Sequence, residues 1–140
     1  MNIVEIPKII EHLKTNINIT NIVWNNIFFW PPPRDLDIST NIYLILDIIT
    51  QVPSFYDRSA RIEIKVCAKN ESITKQALIN TISIINDFLC INNNWVINMN
   101  WFIINSFIEG WNFIILLDDK ERHILIKDYF VNFFKENFIY

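Results

Sequence analysis

Residues 60–90 of this 140-residue chain read ARIEIKVCAKNESITKQALINTISIINDFLC, from Ala60 to Cys90. The first nine of these residues alternate between apolar and mostly charged side chains, which is the period of a β-strand with one buried face. A short polar segment follows, and apolar residues then recur at the spacing of one face of a helix. The stretch therefore predicts a strand, a loop and a helix over Ser72–Leu89.

The two faces of the predicted strand differ in chemistry. The apolar face consists of Ala60, Ile62, Ile64, Val66 and Ala68. The opposite face consists of Arg61, Glu63, Lys65 and Cys67. We expect the apolar face to pack against a core, and the charged face to meet water or a partner molecule.

The N-terminal part of the chain predicts one helix before the sheet begins. Apolar spacing indicates a helix over Val4–Lys14, and Asn16–Asn26 is expected to be loop with a short extended piece. Ile27–Trp30 is predicted to be a short strand that leads into three prolines, which cannot donate ladder hydrogen bonds. Asn41–Gln51 is apolar on both faces, which is typical of a central strand.

The C-terminal part predicts further strands. Trp95–Ile108 alternates as a strand does, and Trp111–Leu117 with His123–Phe134 indicates a closing hairpin. The order of elements predicts an α+β fold, a mostly antiparallel sheet with an N-terminal helix and one long central helix packed on one face. We expect residues 1–140 to form a single domain.

Composition excludes some classes of protein. Hydrophobic residues make up 51% of the chain and aromatic residues 14%, which is far from the composition of a disordered segment. The net charge of −3 argues against sequence-specific nucleic-acid binding, which needs clustered Lys and Arg. Two cysteines, Cys67 and Cys90, are too few for a disulfide framework, and we expect both to be small buried side chains.

The sequence gives no indication of a membrane partner. Phe88–Ile108 lacks charge and is long enough to cross a bilayer, but six asparagines interrupt it, and polar groups are costly in hydrocarbon. The first twenty residues do not show the pattern of a secretory signal. We therefore expect a soluble protein that is made in the cytoplasm.

No residue pattern predicts catalysis, a cofactor or a metal. His12 and His123 are the only histidines, and nothing in the sequence places them together. The acidic run at Asp118 lacks the alternating oxygen ligands and the glycine of a calcium loop. The requirements for a catalytic site are not met, and we expect a protein that is not an enzyme.

Candidate contact residues are those expected to project from the sheet or its loops. Trp30 beside the prolines is an expected contact because tryptophan is enriched at interface anchors. Charged residues on the strand face and in loops are usually solvated, but they could also form a subunit interface. The full set of candidate subunit or partner contacts is Trp30, Arg34, Asp57, Arg58, Arg61, Glu63, Lys65, Asp118, Asp119 and Arg122.

Several segments, taken in order, resemble one family over nearly the whole chain. They are the helix Ile6–Leu13, the approach Ile27–Trp30 to the prolines, Ile42-Tyr43-Leu44-Ile45, the strand Arg61–Val66, the helix Ser72–Leu89, Glu109-Gly110-Trp111 and Lys127-Asp128-Tyr129. Their order and length resemble the tail terminator or tail-completion (neck) proteins of long-tailed bacteriophages and related tail-like particles. The chain departs from that family in its scarcity of glycine and alanine.

The resemblance implies a structural role in the virion. Such proteins form a hexameric ring at the head-proximal end of the tail tube, end its polymerisation and join the tail to the neck. The implied partners are further copies of the chain, the tail tube protein and neck or head-completion proteins, and no catalytic residues carry over. Two alternatives stay open, another neck or tail adaptor of similar fold and a small acidic binding protein of the immunity or inhibitor type.

Overall fold

A computed structural model of the protein describes residues 4–31, 42–53, 58–68, 75–92, 94–99, 102–117 and 123–135. The helices in this part of the chain are α1 (Ile6–Leu13), α2 (Ile17–Val23) and α3 (Lys75–Asn86), and a π-helical turn, Asp87–Ile91, continues α3. The strands are β1 (Ile27–Phe29), β2 (Tyr43–Pro53), β3 (Arg58–Ala68), β4 (Ile97–Asn98), β5 (Phe102–Leu117) and β6 (His123–Lys135).

These strands form one sheet with the order β1-β2-β3-β6-β5-β4. Strand β1 pairs with β2 in parallel, and the other pairs in the described sheet are antiparallel. The α+β class is therefore confirmed, with a mixed sheet. Parallel neighbours need a long connection, and the segment between Phe29 and Tyr43 provides one.

Helix α2 corrects the prediction that residues 16–26 form a loop. The side-chain oxygen of Asn16 accepts hydrogen bonds from the backbone N–H groups of Asn18 (2.9 Å) and Ile19 (3.2 Å), which caps the first turn. Ile19 and Val23, four residues apart, are both buried. The helix is only seven residues long, so its apolar face is too short to stand out in the sequence.

The long helix and the strand after it also differ from their predictions. The helix predicted over residues 72–89 is regular only to Asn86, and the π-helical turn begins at Asp87; residues 71–74 lie outside the described part. The single strand predicted over residues 95–108 is two strands in the structure, the short β4 and β5, which begins at Phe102. Strand β5 then continues to Leu117, across the boundary that the sequence suggested near Gly110.

The helices pack against one face of the sheet. Apolar residues of α1, α2 and α3 form one buried cluster with the apolar face of β3, including Ile62, Ile64 and Val66, which are 0% exposed. The predicted division of β3 into an apolar and a charged face is thus confirmed. The opposite face, called the outer face below, has a smaller buried cluster of Tyr43, Ile45 and Cys67.

The single glycine of the chain lies where β5 bulges beside β6. The register of the two strands shifts between Glu109 and Phe113, and Gly110 lies in that shift. A Cβ atom on Gly110 would be 2.9 Å from the backbone oxygen of Asp128. Only glycine fits this close approach of two backbones.

Candidate functional site

Four of the residues that the sequence predicted as contacts lie on or beside the outer face, together with others that it did not single out. Side chains alternate between the faces of a strand, so the register identifies the members of this face. They include Phe28 on β1, Tyr43, Ile45, Asp47 and Thr50 on β2, Arg61, Glu63, Lys65 and Cys67 on β3, Ile124, Ile126, Asp128, Phe130 and Asn132 on β6, and Ser106, Ile108 and Ile114 on β5.

A row of three carboxylates crosses the centre of this face. Asp47 of β2 is the partner of Glu63 in the register, and Glu63 is the partner of Asp128 on β6. Like charges directly opposite one another destabilise a sheet. Arg61 and Lys65, two residues before and after Glu63, place a cation on each side of the row. The alternating charges of β3 therefore compensate acidic residues of the neighbouring strands.

Arg61 already has a partner within the chain. Its guanidinium forms an ion pair with the carboxylate of Asp128, whose side chain is only 4% exposed. The guanidinium also lies over the ring of Phe130, 6.0 Å from its centroid. A buried carboxylate needs such a cation, so Arg61 has a structural role here that the sequence did not predict.

Lys65 and Trp30 lie beside each other at the β1 end of this face. The Lys65 ammonium lies 3.4 Å from the Glu63 carboxylate and 5.0 Å from the centroid of the Trp30 ring. Trp30 is 48% exposed, and its backbone N–H donates to the Leu46 carbonyl over 2.9 Å. The backbone of Trp30 is thus anchored beside β2, while its indole is available to a partner.

Exposed apolar side chains on β5 and β6 complete the outer face. Ile108 is 52% exposed, Ile114 47% and Phe130 38%. Ile108 and Phe130 are direct partners in the register, so they form one apolar pair beside the charged row. The sequence did not single them out, because it does not show which face of β5 and β6 the helices leave uncovered. Exposed apolar groups rimmed by charge are typical of protein–protein contact sites.

A second polar cluster lies on the helix side of the sheet. The buried Lys127 ammonium is 2.6 Å from the Glu109 carboxylate, and the Tyr129 hydroxyl hydrogen-bonds to the Asn86 side chain. Burial, with a smaller effect of the Glu109 charge, raises the pKa of the Cys90 thiol to about 11, while Lys127 opposes that rise. The pKa of Tyr129 is raised chiefly by burial. These groups satisfy one another between the end of α3 and the sheet.

The predicted contact residues fall into two groups. Trp30, Arg61, Glu63 and Lys65 lie together on or beside the outer face. Arg34, Asp57, Asp118, Asp119 and Arg122 lie outside the described residues, as does the side chain of Arg58, whose backbone begins β3. Their role in subunit contacts stays a prediction.

The described residues show neither a metal site nor a membrane-spanning helix. Within the ranges given above, no group of three or more His, Cys, Asp or Glu side chains is arranged to hold a metal ion. In the same part of the chain, no helix combines the length and apolar character needed to cross a membrane.

Comparison with known proteins shows a shared fold. No family model matches the sequence, and no curated protein matches it either. Among solved structures, a chain from "Virion of native gene transfer agent (GTA) particle" is similar, with a TM-score of 0.63 and 10% identity. The match covers 88% of this chain and 89% of that chain. The likeness thus extends over nearly the whole of both chains.

Proposed function

We propose that the protein is a structural component of a phage-like virion and acts as its tail terminator. The observation that supports this most is the shared fold, over 88% of the chain, with a chain of a gene transfer agent virion. The element order that resembles tail terminators in the sequence supports the finer role. Six copies would form a ring on the head-proximal end of the tail tube, with the tube protein below and neck or head-completion proteins above.

The outer face suits such a role because its exposed apolar and charged side chains can bind another protein. Its exposed apolar residues, Ile108, Ile114 and Phe130, provide area to bury, and the pair Glu63–Lys65 provides charges that can exchange partners. Trp30 adds an open aromatic anchor. Arg61 is less available, since it compensates Asp128. The function requires no catalytic group, no cofactor and no membrane.

Deletion of the gene tests the proposal. A terminator ends tube growth, so its absence is expected to give tail tubes of uncontrolled length and heads without tails in electron micrographs. Restoration by the wild-type gene is the control. Particles of normal length and normal head attachment in the deletion strain would refute the terminator role.

A matched pair of variants then tests the outer face. Lys65→Glu reverses a charge beside Trp30, and Lys8→Glu reverses an exposed charge on α1. We expect Lys65→Glu to restore normal tails poorly and Lys8→Glu to restore them fully. Equal restoration by both variants would remove Lys65 from the contact surface.

Light scattering distinguishes the proposed ring from the alternative function, a small binding protein. That alternative predicts a stable monomer or dimer bound to one target.

A further inference from the structure

Strand β5 has a long edge without a neighbour in the described structure. It pairs with β6 from Phe102 to Leu117, whereas β4 covers its other edge only at Ile103 and Ile104. Within the described strands, residues 105–117 therefore have no partner on the side away from β6. An unpaired edge presents backbone donors and acceptors that bind an added strand.

The opposite edge of the sheet has the complementary outline. Strand β1 extends the sheet beyond β2 at Leu44–Leu46, and the register across the sheet places Phe113–Ile115 of β5 at that same level. At the level of Pro53, where no described strand lies beyond β2, β4 extends the sheet beyond β5 instead. If two copies lay side by side, β1 of one copy would therefore lie beside Phe113–Ile115 of the other, and β4 of that other copy would lie beside the first copy's β2 near Pro53.

Strand direction also agrees with such a contact. Three antiparallel pairings separate β2 from β5, and β1 is parallel to β2, so β1 runs antiparallel to β5. When a second copy lies beside the first in the same orientation, its β1 meets β5 in the antiparallel sense, which is the more stable pairing.

The side chains at both edges are exposed and apolar. Phe29 and Trp30, at the end of β1, are 38% and 48% exposed, and Ile114 of β5 is 47% exposed. Ile114 lies on the outer face at the level of Phe28, and Trp30 follows two residues later beside the same face. The two edges therefore offer apolar surface to each other.

We propose that copies of this chain join head to tail, with the β1 edge of one copy pairing with the next copy near Ile114, along the β5 edge that no described strand covers. The contact is heterologous, so copies form a ring when the rotation between successive copies closes, and no edge is then left free. This inference rests on the proposed ring and names its contact. Trp30 then packs across the junction, diagonal to Ile114 of the neighbouring copy.

Cysteine cross-linking tests the junction. Variants Trp30→Cys and Ile114→Cys are combined in one chain in a Cys90→Ala background and treated with a short bismaleimide, while the native Cys67 is buried. We expect the double variant to give a ladder of linked oligomers that ends in one closed species. Each single variant is expected to give no ladder, since head-to-tail contact never places two identical residues together.

A matched control fixes the register. Ile108 lies on the same strand and face as Ile114 and is similarly exposed, but it lies beyond the bulge at Gly110. Trp30→Cys with Ile108→Cys is expected to link at least tenfold more slowly than Trp30→Cys with Ile114→Cys. Equal rates would overturn this register. Efficient dimers of Ile114→Cys alone would indicate two-fold β5–β5 pairing and would also overturn it.

The reaction is performed on concentrated purified protein and on isolated particles. Absence of the ladder in both preparations would overturn the junction, even if gene deletion confirms the terminator role. A ladder in a protein whose deletion leaves tails normal would retain the junction and refute the terminator role. The two proposals therefore fail separately.

Discussion

The Arg61 guanidinium forms an ion pair with the Asp128 carboxylate across strands β3 and β6. Asp128 is the buried end of a row of three carboxylates, so the pair stabilises an arrangement that would otherwise be repulsive. The charge pattern of β3 thus has a cause inside the fold. The carboxylate partner of Lys65, Glu63, is more exposed than Asp128, so Lys65, rather than Arg61, is the charge whose reversal tests contact with a partner.

Loss of the Arg61 cation should destabilise the fold. Arg61→Gln removes the Arg61 cation from the nearly buried Asp128 carboxylate, and we expect a loss of about 1–3 kcal/mol in the free energy of unfolding in urea. Lys65→Gln removes a more open pair and should cost less than about 0.5 kcal/mol. Asp128→Asn should recover part of the loss in the Arg61→Gln chain. An Arg61→Gln variant as stable as Lys65→Gln would contradict this account.

The bulge at Gly110 should not tolerate a methyl group. In Gly110→Ala the new Cβ would meet the backbone oxygen of Asp128 at 2.9 Å, so one of the two strands would have to shift beside the paired residues Glu109 and Tyr129. We expect a loss of about 1–3 kcal/mol in urea unfolding. Asn105→Ala, at an exposed position of the same strand, should change stability by less than about 0.5 kcal/mol. Equal effects of the two substitutions would show that the bulge has room.

His12 should make the fold sensitive to mild acid. Its ring stacks on Phe88 with 4.7 Å between the ring centroids, and its centroid lies 4.5 Å from that of the tilted Trp95 ring. Burial lowers the pKa of His12 below the ordinary value of 6.5. The unfolded chain therefore takes up the proton first, so stability is full above pH 6.5 and falls as the pH decreases below it. His12→Phe keeps the aromatic packing and should flatten the urea midpoint between pH 7 and 5. Parallel profiles for both proteins would contradict this.

Cys90 should make the fold sensitive to alkali. Burial raises its pKa from 9.0 to about 11, so the folded chain retains the thiol proton longer than the unfolded chain. Stability is then full below pH 9 and is lost as the pH rises toward 11. Cys90→Ala should lose less stability than the wild type between pH 8.5 and 10.5, as measured by urea unfolding. An identical loss would show that the thiol does not contribute.

Sequence patterns predict the parts of this fold that depend on local periodicity. Strand β3 and the β5–β6 hairpin follow directly from apolar alternation, and the sequence identifies the charged face of β3 correctly. Helix α2 is missed because its capping residue, Asn16, and its two buried residues form too short a pattern.

The partners of the charged residues depend on long-range register instead. Arg61 and Asp128 are 67 residues apart, and nothing near either residue in the sequence indicates that they meet. The exposure of Ile108 and Phe130 likewise depends on which face the helices cover. For the same reason, the edge of β5 that no described strand covers can be identified only when the order of strands is known.

Electron microscopy of particles that carry a tagged copy of this chain tests the central claim most directly. The tag is added to the chain without other changes. Particles are purified from cells in which the tagged protein replaces the untagged one. We predict density or label for a ring of copies at the head-proximal end of the tail tube and at no other position. Particles that lack the tag, or that carry it at the distal end or along the tube, would contradict the account.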